Sequence, residues 1–270
     1  MAVFFFCMRT LHCIVIALVA SIALSACQSD APDADPEGVP PADSIVARSI
    51  QAHGGEGLDH AEMTFRFRDA RFRVLRDGGR FRYERTYTDS LDRSVREVLS
   101  NDSLYRAVEG ERVSLPDSTL RDVETAVNSV AYFALLPYPL QDPAVQAAYD
   151  GSETIDGADY HRVIVTFRQE GGGRDWRDRF VYWFHADTYT MDFLAYAYGF
   201  GNPDEEIGTR FREAYNVRTI EGIRVADYRN FTAEDLPPEQ MERYPTRWAQ
   251  DSLDLVSTVN LEDVAVRPLR

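Results

Sequence analysis

The sequence contains no lysine, and all 29 of its basic residues are arginine. Because 44 acidic residues stand against them, the chain carries a formal net charge of −15. A chain of this charge is repelled by nucleic acid and by an anionic membrane surface, so neither is expected as a partner. A genome or habitat that favours Arg, Asp and Glu would give the same composition, and the charge therefore indicates no particular partner.

Several enzyme motifs are also missing. The sequence has no HExxH, GxSxG or CxxC, and the glycines at 171–173 lack the Lys-Ser/Thr of a nucleotide-binding loop. We therefore predict no cofactor, no metal site and no catalytic residue. One alternative is a hydrolase of the cell envelope that uses His161 or His185 with a nearby aspartate. Its candidate aspartates flank the turns around the strand FVYWFH, at Asp175, Asp178, Asp187 and Asp192.

Cysteine is scarce, and two of the three cysteines lie in a segment typical of a secretion signal. Arg9 precedes an uncharged run of 12 residues, Cys13–Leu24. A membrane-spanning helix needs about 20 residues, whereas the apolar part of a signal peptide needs only about 7–15. The sequence LSAC at 24–27 resembles the lipobox of bacterial lipoproteins, in which the cysteine thiol receives a diacylglycerol. We predict a signal peptide over 1–26 and lipidation of Cys27, with an ordinary cleaved signal as the alternative.

Removal of the signal would leave Cys27 as the only cysteine, which excludes an intramolecular disulfide. Residues 28–42 hold four prolines and four acidic residues, so 27–42 is predicted to be the lipidated cysteine with a flexible tether. Residues 43–270 are enough for a single domain with its own core. Gln28 is not the aspartate that retains some lipoproteins at the inner membrane. This favours the outer membrane as the location. The residue does not distinguish the periplasmic face from the cell surface.

Hydrophobic periodicity predicts a mainly β domain of α+β class. A helix is expected over Asp43–His53, with Asp43 as its N-cap and Gly54 at its end; a metal pair of His53 and His60 is the alternative. From Met63 the period is two, so TFRFRDARFRVLR and RFRYERTY are expected to form one antiparallel pair with a solvated arginine face. Further strands are predicted over 94–100, 103–108, 160–168, 178–185, 190–198, 208–216, 222–231 and 252–266. Their regular spacing predicts a single curved, partly closed antiparallel sheet.

A helical insert interrupts the strands at about 117–149. Apolar residues recur at helical spacing between Asp117 and Leu136, and Pro137 and Pro139 should end this helix near Leu136. The following DPAVQAAY is expected to form a second helix. An insert this apolar is expected to lie on the concave face of the sheet.

These segments together resemble the LolA/LolB-like lipoprotein carriers. The stretches NSVAYFALLPYPLQDPAV, VTFRQEGGGRDWRDRFVYWFHADTYTMDFLAYAY and RFREAYNVR resemble a family of bacterial lipoproteins with a domain of unknown function. The carrier resemblance implies an open half-barrel whose helices cover an apolar cavity. The resemblance to the family with a domain of unknown function covers nearly the whole mature chain and brings no established activity and no catalytic residues.

We therefore expect a membrane-anchored protein that binds an acyl chain, a lipoprotein or another amphiphilic ligand in the half-barrel. Side chains that fill a dry core, or a purely structural role in envelope assembly, are the alternatives. The candidate wall residues are Phe133, Leu136, Tyr138, Val165, Phe167, Phe180, Tyr182 and Tyr196.

Overall fold

The computed structural model describes residues 40–174, 176–200 and 207–269. The predicted signal peptide, Cys27 and the tether up to residue 39 lie outside these residues. The α-helices are α1 (Ala42–Ala52), α2 (Asp117–Leu135) and α3 (Tyr244–Ala249). Short 3₁₀ helices occur at Gly55–Leu58, Tyr138–Gln141 and Pro238–Arg243.

The strands form two seven-stranded antiparallel sheets. Sheet 1 has the order β14-β1-β2-β3-β4-β5-β6, and sheet 2 has the order β13-β12-β11-β10-β9-β8-β7. The strands of sheet 1 are β1 (His60–Phe67), β2 (Ala70–Asp77), β3 (Arg80–Thr88), β4 (Ser94–Ser100), β5 (Ser103–Val108), β6 (Glu111–Val113) and β14 (Glu262–Pro268). The strands of sheet 2 are β7 (Val145–Ile155), β8 (Ala158–Phe167), β9 (Arg179–His185), β10 (Met191–Tyr198), β11 (Gly208–Ile220), β12 (Ile223–Thr232) and β13 (Asp254–Val259).

Sequence neighbours pair throughout both sheets, except that the C-terminal strand β14 pairs with β1, and β6 and β7 lie at sheet edges. This confirms the predicted mainly β, antiparallel open half-barrel. The predicted single sheet was wrong, because the strands divide between two seven-stranded sheets. The predicted strand over 252–266 breaks at Asn260 into β13 and β14, which belong to different sheets. Leu261 at this break is held by Asp227, whose Oδ1 accepts its backbone N–H at 2.9 Å.

Two further predictions of local structure were wrong. The stretch TFRFRDARFRVLR forms two strands, because Arg68 adopts a φ of 54° and lets Phe67 pair with Ala70 across a two-residue turn. DPAVQAAY forms no helix, since residues from Val145 on belong to β7 and pair with β8 along its length. Strand pairing overrides a weak local preference of this kind, and the helical insert is consequently shorter than 117–149.

Helix α1 follows Pro41 and ends at the predicted glycine. Its N-cap is Pro41, so Asp43 was wrongly predicted for that position and lies instead in the first turn, where a negative charge is favourable. Gly54 has a φ of 106°, and a Cβ there would lie 2.5 Å from Cδ1 of Ile223. Both the backbone conformation and the close approach to β12 therefore require glycine.

Helix α2 packs its buried face against the core between the sheets. Val123, Val127, Ala131 and Leu135 are buried on this face. The helix ends at Leu135, and Leu136 is extended with φ −57° and ψ 141°, as expected for a residue before proline. We call the side of each sheet that faces α2 its inner face.

The outer face of sheet 2 is also covered. Trp183 and Phe211 are fully buried there beneath the segment 238–249, whose Tyr244 stacks on Phe211 at 5.5 Å between ring centroids. Burial on both sides explains why β9 reads FVYWF, a continuous apolar run instead of an alternating one.

Sheet 1 carries its arginines in cross-strand ion pairs. On one face Arg73 pairs with Glu62 and Glu84. Arg85 and Arg106 flank Glu97, whose side chain is fully buried. Several arginines of these strands are thus neutralised by carboxylates of neighbouring strands. Among the described residues, no helix has the length and apolar character to cross a bilayer.

Candidate functional site

A cavity of about 1370 Å³ lies between α2 and the inner faces of both sheets. This exceeds the ~300–1,000 Å³ of ordinary small-molecule pockets. Helix α2 contributes Val130 and Phe133, and sheet 1 contributes Phe81 and Leu99. The remaining wall comes from sheet 2 and from the segment that follows α2.

The strand register arranges the inner face of sheet 2 in two cross-strand rows that change character from one side to the other. The first row reads Val165, Phe180, Tyr196 and Arg210 from β8 to β11. The second row reads Val163, Tyr182, Leu194, Arg212, Asn230 and Ser257 from β8 to β13. In both rows apolar and aromatic side chains occupy β8–β10, and polar side chains begin at β11. The cavity wall is therefore amphiphilic.

Aromatic rings form the apolar half of this wall. The Phe133 ring lies 5.1 Å from Tyr196 and 6.4 Å from Phe180, centroid to centroid. Phe167 packs edge-on against Phe180 at 5.8 Å. With Leu136, these are the candidate wall residues that line the cavity.

The other three candidate residues belong to the packed core beside the cavity. Val165 and Tyr182 are fully buried, and the Tyr182 hydroxyl lies 3.5 Å from that of Tyr132. Tyr138 is turned away from the cavity, since its hydroxyl donates a hydrogen bond to Oδ1 of Asp59 at 2.6 Å. Burial, with this hydrogen bond, raises the pKa of Tyr138 to about 12.

The sequence interpretation missed the arginines of the wall. Arg76 donates to the Tyr83 hydroxyl at 2.8 Å and lies over the Tyr138 ring. Arg224 donates to Asp192 at 2.7 Å. Arg212 makes no ion pair among the described residues and contacts the Phe133 ring at 3.8 Å. The alternation in RFREAY could have placed Arg210 and Arg212 on one face, but it does not say which face is inner.

His53 also borders the cavity and is neutral. Its Nδ1 donates to the Ser49 carbonyl at 2.8 Å, and its Nε2 accepts the Met191 N–H at 3.4 Å. Burial lowers the pKa of His53 to about 4, and the positive charge of Arg224 contributes to this. The alternative metal pair with His60 is not formed, because both His53 nitrogens are engaged and His60 contacts Asp77 at 3.1 Å.

The residues of the alternative hydrolase do not converge. Nδ1 of His185 accepts a hydrogen bond from the backbone N–H of Asp187 at 3.2 Å. The His185 imidazole ring packs edge-on against the Tyr160 ring. His161 packs beside Tyr189, and its Nδ1 is buried without a partner in the described residues.

One of the candidate aspartates, Asp192, is engaged elsewhere. Asp192 binds Tyr160, Thr190 and Arg224. Asp175 lies outside the described residues. In the part of the chain that the structure describes, neither His161 nor His185 is hydrogen-bonded to a carboxylate side chain.

The fold and the cavity together define an open antiparallel half-barrel protein with an amphiphilic internal site. The chain belongs to the family of unknown function DUF6503, which matches residues 40–261. This confirms the predicted family with a domain of unknown function. Among curated proteins, none matches the sequence.

Solved structures of the same general architecture are distant. A LolA superfamily protein from Nitrosomonas europaea is similar with a TM-score of 0.49 and 13% identity, over 86% of this chain and 94% of that chain. A DUF1329 family protein from Desulfovibrio piger is similar with a TM-score of 0.45 and 12% identity, over 84% and 93% of the two chains.

Proposed function

We propose that this protein is a membrane-anchored lipoprotein whose half-barrel binds the apolar part of an amphiphilic ligand, such as an acyl chain. The observation that carries the proposal is the cavity of about 1370 Å³ beneath α2. Protein interiors are otherwise packed as densely as organic crystals, and few voids exceed a water molecule. A space of this size, partly open to solvent, is therefore not filled by side chains of the core and leaves room for a ligand.

The chemistry of the wall supports an amphiphile. Aromatic side chains of α2, β9 and β10 face the cavity on one side, and polar side chains of β11–β13 face it on the other. The lining is divided between apolar and polar groups, which suits a ligand with an apolar chain and a polar head. An acyl chain would occupy the aromatic side.

The anchor completes the proposal. Signal removal after residue 26 and lipidation of Cys27 would place residues 43–270 on a tether over 28–42, which reaches at most about 50 Å. Gln28 favours the outer membrane as the destination. The net charge of −15 would keep the domain off an anionic bilayer surface, so that a ligand and not the bilayer occupies the cavity.

The test is a cavity-filling substitution. Ala134 lies on α2 and lines the cavity, so Ala134→Trp should lower the affinity for the fluorescent fatty acid cis-parinaric acid. Filling a void does not ordinarily lower the free energy of unfolding. The matched control is Ala148→Trp at an exposed position of β7, which should bind like the wild type.

Two results would contradict the proposal: a wild-type chain that does not bind the probe, or equal binding by the Ala134→Trp and Ala148→Trp variants. A wild-type chain that ignores the probe but forms a stable complex with an envelope protein would favour the structural role instead.

A further inference from the structure

Arg212 is a buried cation at the point where the cavity wall changes from apolar to polar. Only 8% of the residue is exposed. Its Nη2 donates to the Tyr196 hydroxyl at 3.1 Å, and its guanidinium lies 3.8 Å from the Phe133 ring centroid. Its Nε is buried and has no hydrogen-bond partner within the described chain.

Among the residues that the structure describes, no carboxylate pairs with this guanidinium. None of the ion pairs between described residues includes Arg212, whereas the neighbouring cavity arginine, Arg224, is paired with Asp192. Nearby phenols do not supply the charge either, because burial raises the pKa of Tyr228 to about 12 and that of Tyr182 well above its ordinary value. Arginine stays protonated in proteins. A buried charge without a partner is costly, so its retention points to a partner that arrives from outside the chain.

Asn230 and Ser257 extend the polar patch around Arg212. Asn230 lies directly opposite Arg212 on β12, and Ser257 continues the row on β13. The Asn230 amide donates to the Ser257 hydroxyl at 3.2 Å, and its buried Oδ1 is unpartnered within the described residues. The guanidinium N–H groups, the second amide N–H of Asn230 and the Ser257 O–H can donate to the oxygens of a small anion, whereas Oδ1 of Asn230 can only accept a hydrogen bond.

We propose that Arg212 binds the anionic headgroup of the ligand, with Asn230 and Ser257 beside it. This inference rests on the function proposed above and specifies the ligand class: an amphiphile with one apolar chain and a carboxylate or phosphate oxygen at its head. The chain extends from Arg212 along the aromatic side of the cavity, past Phe133 and Phe180. The headgroup neutralises the guanidinium, and the aromatic rings contact the chain.

The experiment compares cis-parinaric acid with its methyl ester, which has the same chain and no charge, by fluorescence titration of the purified full chain. The wild type should bind the acid about tenfold more tightly than the ester, as expected for one charged hydrogen-bonded contact. Arg212→Met should bind the two probes equally, and Arg212→Lys should restore part of the preference.

Arg229→Met is the matched control for loss of one positive charge. Arg229 lies on β12, is 43% exposed in its side chain and pairs with Glu213. This variant should keep the preference for the acid. If Arg212→Met does not fold, the comparison of acid and ester binding by the wild type still tests the inference.

The outcomes separate this inference from the proposed function. Equal binding of acid and ester by the wild type would overturn the headgroup site and leave the acyl-binding function standing. Absence of binding by either probe would overturn both.

Competition identifies the source of the anion. Displacement of the probe by oleate alone supports a carboxylate, and displacement also by lysophosphatidate supports a site that accepts phosphate. If zwitterionic lysophosphatidylcholine displaced the probe as effectively as oleate does, this result would contradict a site for an anionic headgroup.

Discussion

At the scale of single residues, the cavity wall contains two buried polar side chains, of which one is positively charged and the other is neutral. Arg212 keeps its positive charge because guanidinium does not lose its proton in proteins. His53 is neutral, because burial and the charge of Arg224 together lower its pKa to about 4. Arg212 therefore favours an anion over a cation in the polar half of the cavity, and His53 adds no charge there.

The low pKa of His53 predicts a pH dependence of stability. The unfolded chain binds a proton at His53 near pH 6.5, whereas the folded chain does so only near pH 4. The free energy of unfolding should therefore fall as the pH drops from about 6.5 to about 4. Since a tenfold change in an equilibrium constant is about 1.4 kcal/mol, the loss at this residue amounts to about 3 kcal/mol.

Urea unfolding of the wild type and of His53→Gln at several pH values measures this difference. The variant should lose less stability than the wild type over the acidic range. His60→Gln is the control, because His60 is exposed, and it should follow the wild type. Parallel curves for the wild type and His53→Gln would show that His53 is not the group responsible.

At the scale of elements, α2 and the segment after it separate the core from the cavity. Leu135 is the last residue of α2 and lies in the core, whereas Leu136 is extended and borders the cavity. Residues 135–140 are all buried. The proline-rich YFALLPYPL is thus part of the packed structure along one edge of the site.

The two adjacent leucines form a matched pair for mutation. Buried Leu→Ala substitutions cost about 2–5 kcal/mol, depending on how many contacts are lost. Leu135→Ala should lie near the upper end, because its side chain is surrounded by core. Leu136→Ala should lie near the lower end, because one side of Leu136 already faces a void.

Denaturant unfolding measures the two losses, and titration with cis-parinaric acid measures binding. Leu136→Ala should weaken binding more than Leu135→Ala does. If both variants lost the same large amount of stability and bound the probe like the wild type, Leu136 would belong to the hydrophobic core and not to the cavity wall.

At the scale of the whole molecule, the predicted anchor and the half-barrel have complementary roles. The lipid on Cys27 would hold the chain at a membrane, and the acidic domain beyond the tether would remain in the aqueous phase. Ligand exchange would then take place within the reach of the tether.

Cys27→Ser should abolish lipidation and move the protein out of the membrane fraction, because a hydroxyl does not replace the thiol that receives the diacylglycerol. Labelling with an alkyne fatty acid, followed by fractionation of the cells, measures both effects. Cys13→Ser lies within the same predicted signal peptide and should leave labelling unchanged. Label retained on Cys27→Ser would refute the anchor.

The sequence by itself determined most of the local structure. The predicted strands 94–100 and 103–108 coincide with β4 and β5. Both segments alternate apolar and polar residues, and a short polar turn over 101–102 connects them. The end of α2 follows from Pro137 and Pro139, which act through local backbone geometry. Aromatic residues near the cavity could be proposed from their apolar character alone.

Only the tertiary structure decided which face of each strand is covered and where one sheet ends. A period of two tells which residues share a face, but burial of that face depends on neighbours that are distant in sequence. The inner position of Arg212 therefore required the register of β10, β11 and β12. For the same reason β13 and β14 could be separated, and β7 recognised as a strand, only from their pairing partners.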